Sequence, residues 1–154
     1  MGETYSALRG LFREYELMYL VGDERDLVKL RANYRHDPVY LYPVRTTPER
    51  ARRMFLQMLA RANELRRDPE FYNTVTNNCT TNIVRHVNTI VPGRVPLSLA
   101  TVLPGYSDQL AYRIGLIDTT LPLDAARERF RINERAARFA DDPAFSDRIR
   151  AANP

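Results

Sequence analysis

The single cysteine of the chain, Cys79, stands in the run Asn77-Asn78-Cys79-Thr80-Thr81-Asn82-Ile83, where polar, turn-forming residues give way to an apolar helical pattern. A thiol at a helix start lies at the positive end of the backbone dipole, which favours the thiolate, its nucleophilic form. Thiol-dependent acyl transfer needs that thiolate, an imidazole to hold and return a proton, and donors for the oxyanion that develops on the attacked carbonyl. Asn77 and Asn78 are the candidate side-chain donors, beside the free backbone N–H groups of the first helical turn. Both asparagines also have a plainer reading, as preferred turn and capping residues. So has Cys79: it shares an apolar stripe with Ile83, Val84, Val87, Ile90 and Val91, and unpaired cysteines are often buried and inert.

The chain holds two histidines, His36 and His86. His86 follows Cys79 by seven residues and points to nearly the same helical face. At ~1.5 Å rise per residue it stands roughly 10 Å further along the axis. Side chains lean toward the helix N-terminus, yet an imidazole does not span that gap. His86 is therefore both the candidate catalytic histidine and a packed helix residue. His36, in Tyr34-Arg35-His36-Asp37-Pro38, sits in a loop and meets the thiol only if the fold brings it there. The residues by themselves supply no thiol–imidazole pair. One cysteine forms no internal disulfide, and two histidines beside it do not suggest a structural zinc site. No cofactor or metal is expected.

The elements that must position these residues are partly legible. Thr47-Pro48-Glu49 has the cap, first-turn proline and acidic residue of a helix start. Ala51, Met54, Phe55, Met58, Leu59, Ala62 and Leu65 then recur at helical spacing as far as Arg67, and Asp68-Pro69 breaks the pattern. The two methionines on this face read as core filling. A second helix is expected from near Asn78 to Val91, ended by Pro92-Gly93, and a short one from Ser107 to Leu116. Glu16 to Val21 and Val39 to Val44 are β-favouring runs, the second demoted to an edge by Pro43 or ended in its pairing there. Residues 26–33 fit a strand or a short helix. After Leu121 the chain turns charged and alanine-rich, with Phe130, Ile132, Phe139 and Phe145 scattered. The expectation is an α+β fold, a small antiparallel sheet packed on two main helices. One domain spans residues 1–120, and residues 121–154 form a charged C-terminal extension that covers the core or hangs loosely.

At 154 residues with 44% hydrophobic content, one domain with a real core is possible. The net charge is +4, but the basic residues, all arginine except Lys29, alternate with acids as in Asp23-Glu24-Arg25-Asp26. That interleaving argues against nucleic-acid binding. No run is long enough to span a membrane, and residues 1–4 show no export signal.

Phe71-Tyr72-Asn73-Thr74 followed by Asn77-Asn78-Cys79-Thr80-Thr81-Asn82-Ile83 resembles the bacterial Lnb N-terminal periplasmic domain family, a domain family of unknown function. Tyr40-Leu41-Tyr42-Pro43, Pro104-Gly105-Tyr106 and Leu110-Ala111-Tyr112 support the likeness, which covers most of residues 3 to 118. The Asn-Cys element is also similar to that of circularly permuted papain-like thiol enzymes, in which the histidine lies on a strand before the cysteine helix. The resemblance implies a truncated version of that fold, with the histidine upstream of Glu3-Thr4-Tyr5, in sequence missing from this chain. It further implies a cell-envelope or periplasmic location and a lipoprotein-like or cell-wall-like acyl substrate, with membrane association only through the missing sequence. Two functions follow as expectations. One is a cysteine-dependent acyltransferase or amide/ester hydrolase domain, possible in incomplete form. The other is a non-catalytic interaction or structural module with Cys79 as a core thiol.

Overall fold

Thr47 and Pro48 open the longest helix at the expected place, and the cap is made as the sequence requires. Thr47 Oγ1 accepts the N–H of Arg50 at 3.3 Å, and Pro48 occupies the first turn, where its missing N–H costs nothing. The computed structural model describes residues 9, 12, 14–96 and 104–151. Its helices are α1 (Glu24–Lys29), continued by a π-helical turn (Leu30–Tyr34), α2 (Pro48–Arg67), α3 (Cys79–Ile90), α4 (Ser107–Arg113), α5 (Leu123–Phe130), α6 (Asn133–Arg138) and α7 (Phe145–Arg150). A 3-10 turn, Pro104–Tyr106, leads into α4. Residues 1–4, read above for an export signal, lie outside the described residues.

The chain divides into two units. The first takes the described residues up to Tyr19 together with those of Arg45–Leu116. Within it α2 packs on α3, and Val84, Val95 and Leu110 form a small core flanked by Val87 and Ile114. Asn88 fastens the chain after α3: its Oδ1 accepts the Val95 N–H and its Nδ2 donates to the Val95 carbonyl, each at 2.8 Å. Gly93 supplies the positive φ (70°) that this reversal needs. Of the apolar face of α2, Leu65 is buried while Phe55 remains 58% exposed.

The second unit joins Leu20–Val44 to the chain from Ile117 onward. Its core is Ala32, Ile132, Ala136, Phe145 and Ile149, with Val28, Val39, Leu41 and Phe139 packed against it. Asp23 caps α1, its Oδ1 accepting the Arg25 N–H at 2.8 Å. Residues 39–41 lie beside 130–132 through Leu41 N–H to the Phe130 carbonyl (2.9 Å) and Ile132 N–H to the Val39 carbonyl (3.0 Å). Asn133 locks the same place, accepting the Val39 N–H and donating to the Asp37 carbonyl.

The expected α+β fold with an antiparallel sheet is therefore wrong. Among the described residues the structure is helical, and extended pairing is limited to isolated bridges: Glu16 with Phe71, Tyr40 with Arg131, Val44 with Ile117, and Asn73 with Asn77. The two β-favouring runs have the side chains for strands but no continuous partner. Pro43 has no N–H to offer, and beyond Leu17 the first run leaves Met18, Leu20 and Val21 largely exposed. Residues 26–33 resolve as helix rather than strand.

Candidate functional site

Cys79 is the first residue of α3, and it is exposed. The sulfur is not a core atom, and it lies 3.9 Å from Thr80 Oγ1. What fixes the helix start is Asn78. Its Oδ1 accepts the Thr81 N–H at 2.8 Å, while Thr81 Oγ1 accepts the Asn78 N–H at 2.8 Å, a reciprocal capping box. Asn78 Nδ2 also donates to the Thr74 carbonyl at 2.7 Å, and the side chain is wholly buried.

Asn77 is equally engaged. Its amide nitrogen donates to Glu70 Oε2 (3.1 Å) and to the Phe71 carbonyl (3.0 Å), and its oxygen accepts from Asn82 Nδ2 (2.9 Å). These three contacts hold the loop, so the asparagine side chains shape the helix entrance. The unoccupied donors there are backbone groups. The Thr81 and Asn82 amides are taken by Asn78, whereas the N–H groups of Cys79 and Thr80 have no partner among the described residues.

His86 lies further along α3, 7% exposed, with its Nε2 2.9 Å from Tyr19 Oη. No hydrogen bond joins it to Cys79 among the described residues. Burial pushes its pKa below the ordinary imidazole value, and Arg61 and Arg85 push the same way. The Tyr19 phenol is raised by burial, with Arg61 and Arg85 opposing. His36 is an exposed loop residue of the second unit at φ 55°.

Around these groups runs a polar network that the sequence reading missed. Arg61 Nη2 meets Glu70 Oε2 at 2.7 Å, and the same carboxylate oxygen receives Asn77 Nδ2. The Arg61 hydrogen bond is the main cause that holds Glu70 below the usual carboxylate range. One sequence signal for Arg61 existed: it interrupts the apolar spacing of Met58, Ala62 and Leu65 on α2, and a half-buried arginine there needs an acid. Tyr19 and Glu70 gave none, since each sits in a stretch without helical period. No group of three or more potential metal-binding side chains occurs among the described residues, and none of their helices is long and apolar enough to cross a membrane.

The model of the Lnb N-terminal periplasmic domain matches residues 1–105. Comparisons with curated proteins and with solved structures give no match, and the likeness to circularly permuted papain-like enzymes receives no support from them. With well over half of its 154 residues covered, the chain belongs to the Lnb N-terminal periplasmic domain family, a family of periplasmic domains.

Proposed function

We propose that the chain acts as a cysteine-dependent acyltransferase or hydrolase domain of the cell envelope, with Cys79 as nucleophile. The observation that supports this reading is the exposed sulfur at the first position of α3, beside two N–H groups without partners among the described residues. The thiol loses its proton to water, and the sulfur adds to an acyl carbonyl. The Cys79 and Thr80 amides are the donors for the resulting oxyanion. The tetrahedral adduct collapses, the leaving group departs and takes a proton from water, and a thioester remains for water or an acceptor to resolve. Asn77 and Asn78 act by holding the turn, and His86 by anchoring α3 to Tyr19. With no imidazole on the sulfur among the described residues, good leaving groups are favoured, so ester or thioester acyl donors, as on lipoprotein-like or wall-like substrates, come before amides.

The test is a covalent adduct. The full chain incubated with p-nitrophenyl butyrate should gain one butyryl group by intact mass, on Cys79 and absent in Cys79→Ser. A second reading, a non-catalytic interaction module, is favoured by the internal engagement of Asn77, Asn78 and His86. Absence of the adduct, with iodoacetamide reacting at Cys79 no faster than with a free cysteine, would favour that module.

A further inference from the structure

The second unit contains a cavity of about 390 Å³, within the range of small-molecule sites. Tyr42, Pro43 and Phe130 supply apolar and aromatic surface to it, and Arg129, Arg135 and Arg150 supply three guanidinium groups. None of its described lining residues is acidic. The aromatic part is built, not incidental. Tyr42 stacks on Tyr40 with ring centroids 5.8 Å apart and meets Phe130 edge-on at 5.7 Å. The pairing of Leu41 with Phe130 sets those rings in register.

The cations differ in one respect that decides the matter. Arg150 is neutralised, with two 2.7 Å bonds to the Glu24 carboxylate. Other arginines of this unit are paired as well: Arg31 with Asp37 at 3.0 Å and Arg148 with Asp142 at 3.1 Å. Arg129 has no hydrogen bond or ion pair among the described residues. Arg135 has no acid partner there: Nη2 donates to the Arg131 carbonyl at 3.2 Å, and Nε is buried without any partner. Arg129 is exposed and Arg135 partly buried, and the buried Arg135 Nε, a donor left unmade, costs free energy. An anion at the cavity would accept from it and meet the Arg129 charge. Glu128 and Glu134 line a neighbouring cavity, which shares Arg129 and Arg135, yet neither forms an ion pair with them.

We infer that this cavity binds a small organic anion, a carboxylate or phosphate carried on an apolar ring, with Arg129 and Arg135 as the charge partners and Tyr42 and Phe130 as the stacking surface. The geometry of planar guanidiniums suits either oxyanion. The site is independent of the cysteine and survives or falls without it.

Phenyl phosphate and benzoate are the probes, with benzyl alcohol as the neutral counterpart, titrated into the full chain by heteronuclear NMR. Amide shifts are expected at Leu41, Phe130 and Ile149 for at least one anion, at least tenfold tighter than for benzyl alcohol. Arg129→Gln and Arg135→Gln should each weaken that binding about tenfold, as expected for loss of a charge-assisted bond. Arg135→Lys should keep part of it, and Arg148→Gln should leave it unchanged. The variants' circular dichroism reports whether they fold. Failure of both anions to bind at millimolar concentration would overturn the proposal. So would equal binding of benzyl alcohol, or equal binding by folded Gln variants.

Discussion

Tyr19 Oη and His86 Nε2 lie 2.9 Å apart, although 67 positions separate the residues in sequence. Their rings meet edge to face at 6.1 Å, and the contact fastens the 14–19 segment to α3. Because burial lowers the His86 pKa, the unfolded chain takes up a proton there at higher pH than the folded protein does. The contribution to stability is complete above the ordinary imidazole value, about 6.5, and is lost as pH falls through the lower folded value. His86→Gln should cost about 1 kcal/mol at pH 7 through the lost, partly buried hydrogen bond to Tyr19. Urea unfolding at pH 7 and pH 5 should show a smaller decline for the variant than for the parent. Parallel declines would place the titration elsewhere.

The Glu70 carboxylate receives both Arg61 and Asn77. Glu70→Ala leaves the largely covered Arg61 head without its acid and should cost about 1 kcal/mol, a modest figure because the carboxylate is partly exposed. Glu70 has a lowered pKa, so its contribution is present above the normal carboxylate range and disappears as pH falls through the lowered value. Thermal unfolding of parent and variant should therefore differ at pH 7 and converge in acid. A gap that persists in acid would assign the loss to packing.

Asn78 is buried completely, and its side chain makes one half of the cap while its backbone N–H donates to Thr81 Oγ1 in the other. Asn78→Ala should lose about 1–2 kcal/mol from the cap and leave the Thr74 carbonyl without that donor. Asn78→Ser keeps an acceptor for the Thr81 N–H and should recover part of the loss. Equal urea midpoints for the two variants would show that the cap contributes little.

Phe145 and Ile149 are buried to within 1% of completeness at the centre of the second core. Phe145→Ala should cost about 3–5 kcal/mol, and Ile149→Val about 1 kcal/mol. Guanidinium titration monitored by the near-ultraviolet signal reads both, and equal losses would contradict the packing described.

Legibility followed length and capping. The start of α2 at Thr47-Pro48 and that of α3 at Asn78 were readable because cap residues and helical spacing agree there. The helices α5, α6 and α7 were not: α4 is as short yet was readable from Leu110, Ala111 and Ile114, whereas after Leu121 the apolar residues are scattered among charges and show no period. The runs at 16–21 and 39–44 misled in the other direction: β propensity describes side chains, while a strand also needs a neighbour over several residues. At the candidate site, the position of Cys79 was legible, and the engagement of Asn77 with Glu70 was not. That contact depends on where α2 delivers Arg61, which spacing around the cysteine does not reveal.

The discontinuous make-up of the second unit governs its order of assembly. Val28, Val39 and Leu41 leave the ribosome roughly a hundred residues before Phe145 and Ile149, the groups that cover them, have been made. In that interval they stay wet and available to chaperones or to wrong neighbours. Shortening the chain before residue 145 would make the delay permanent.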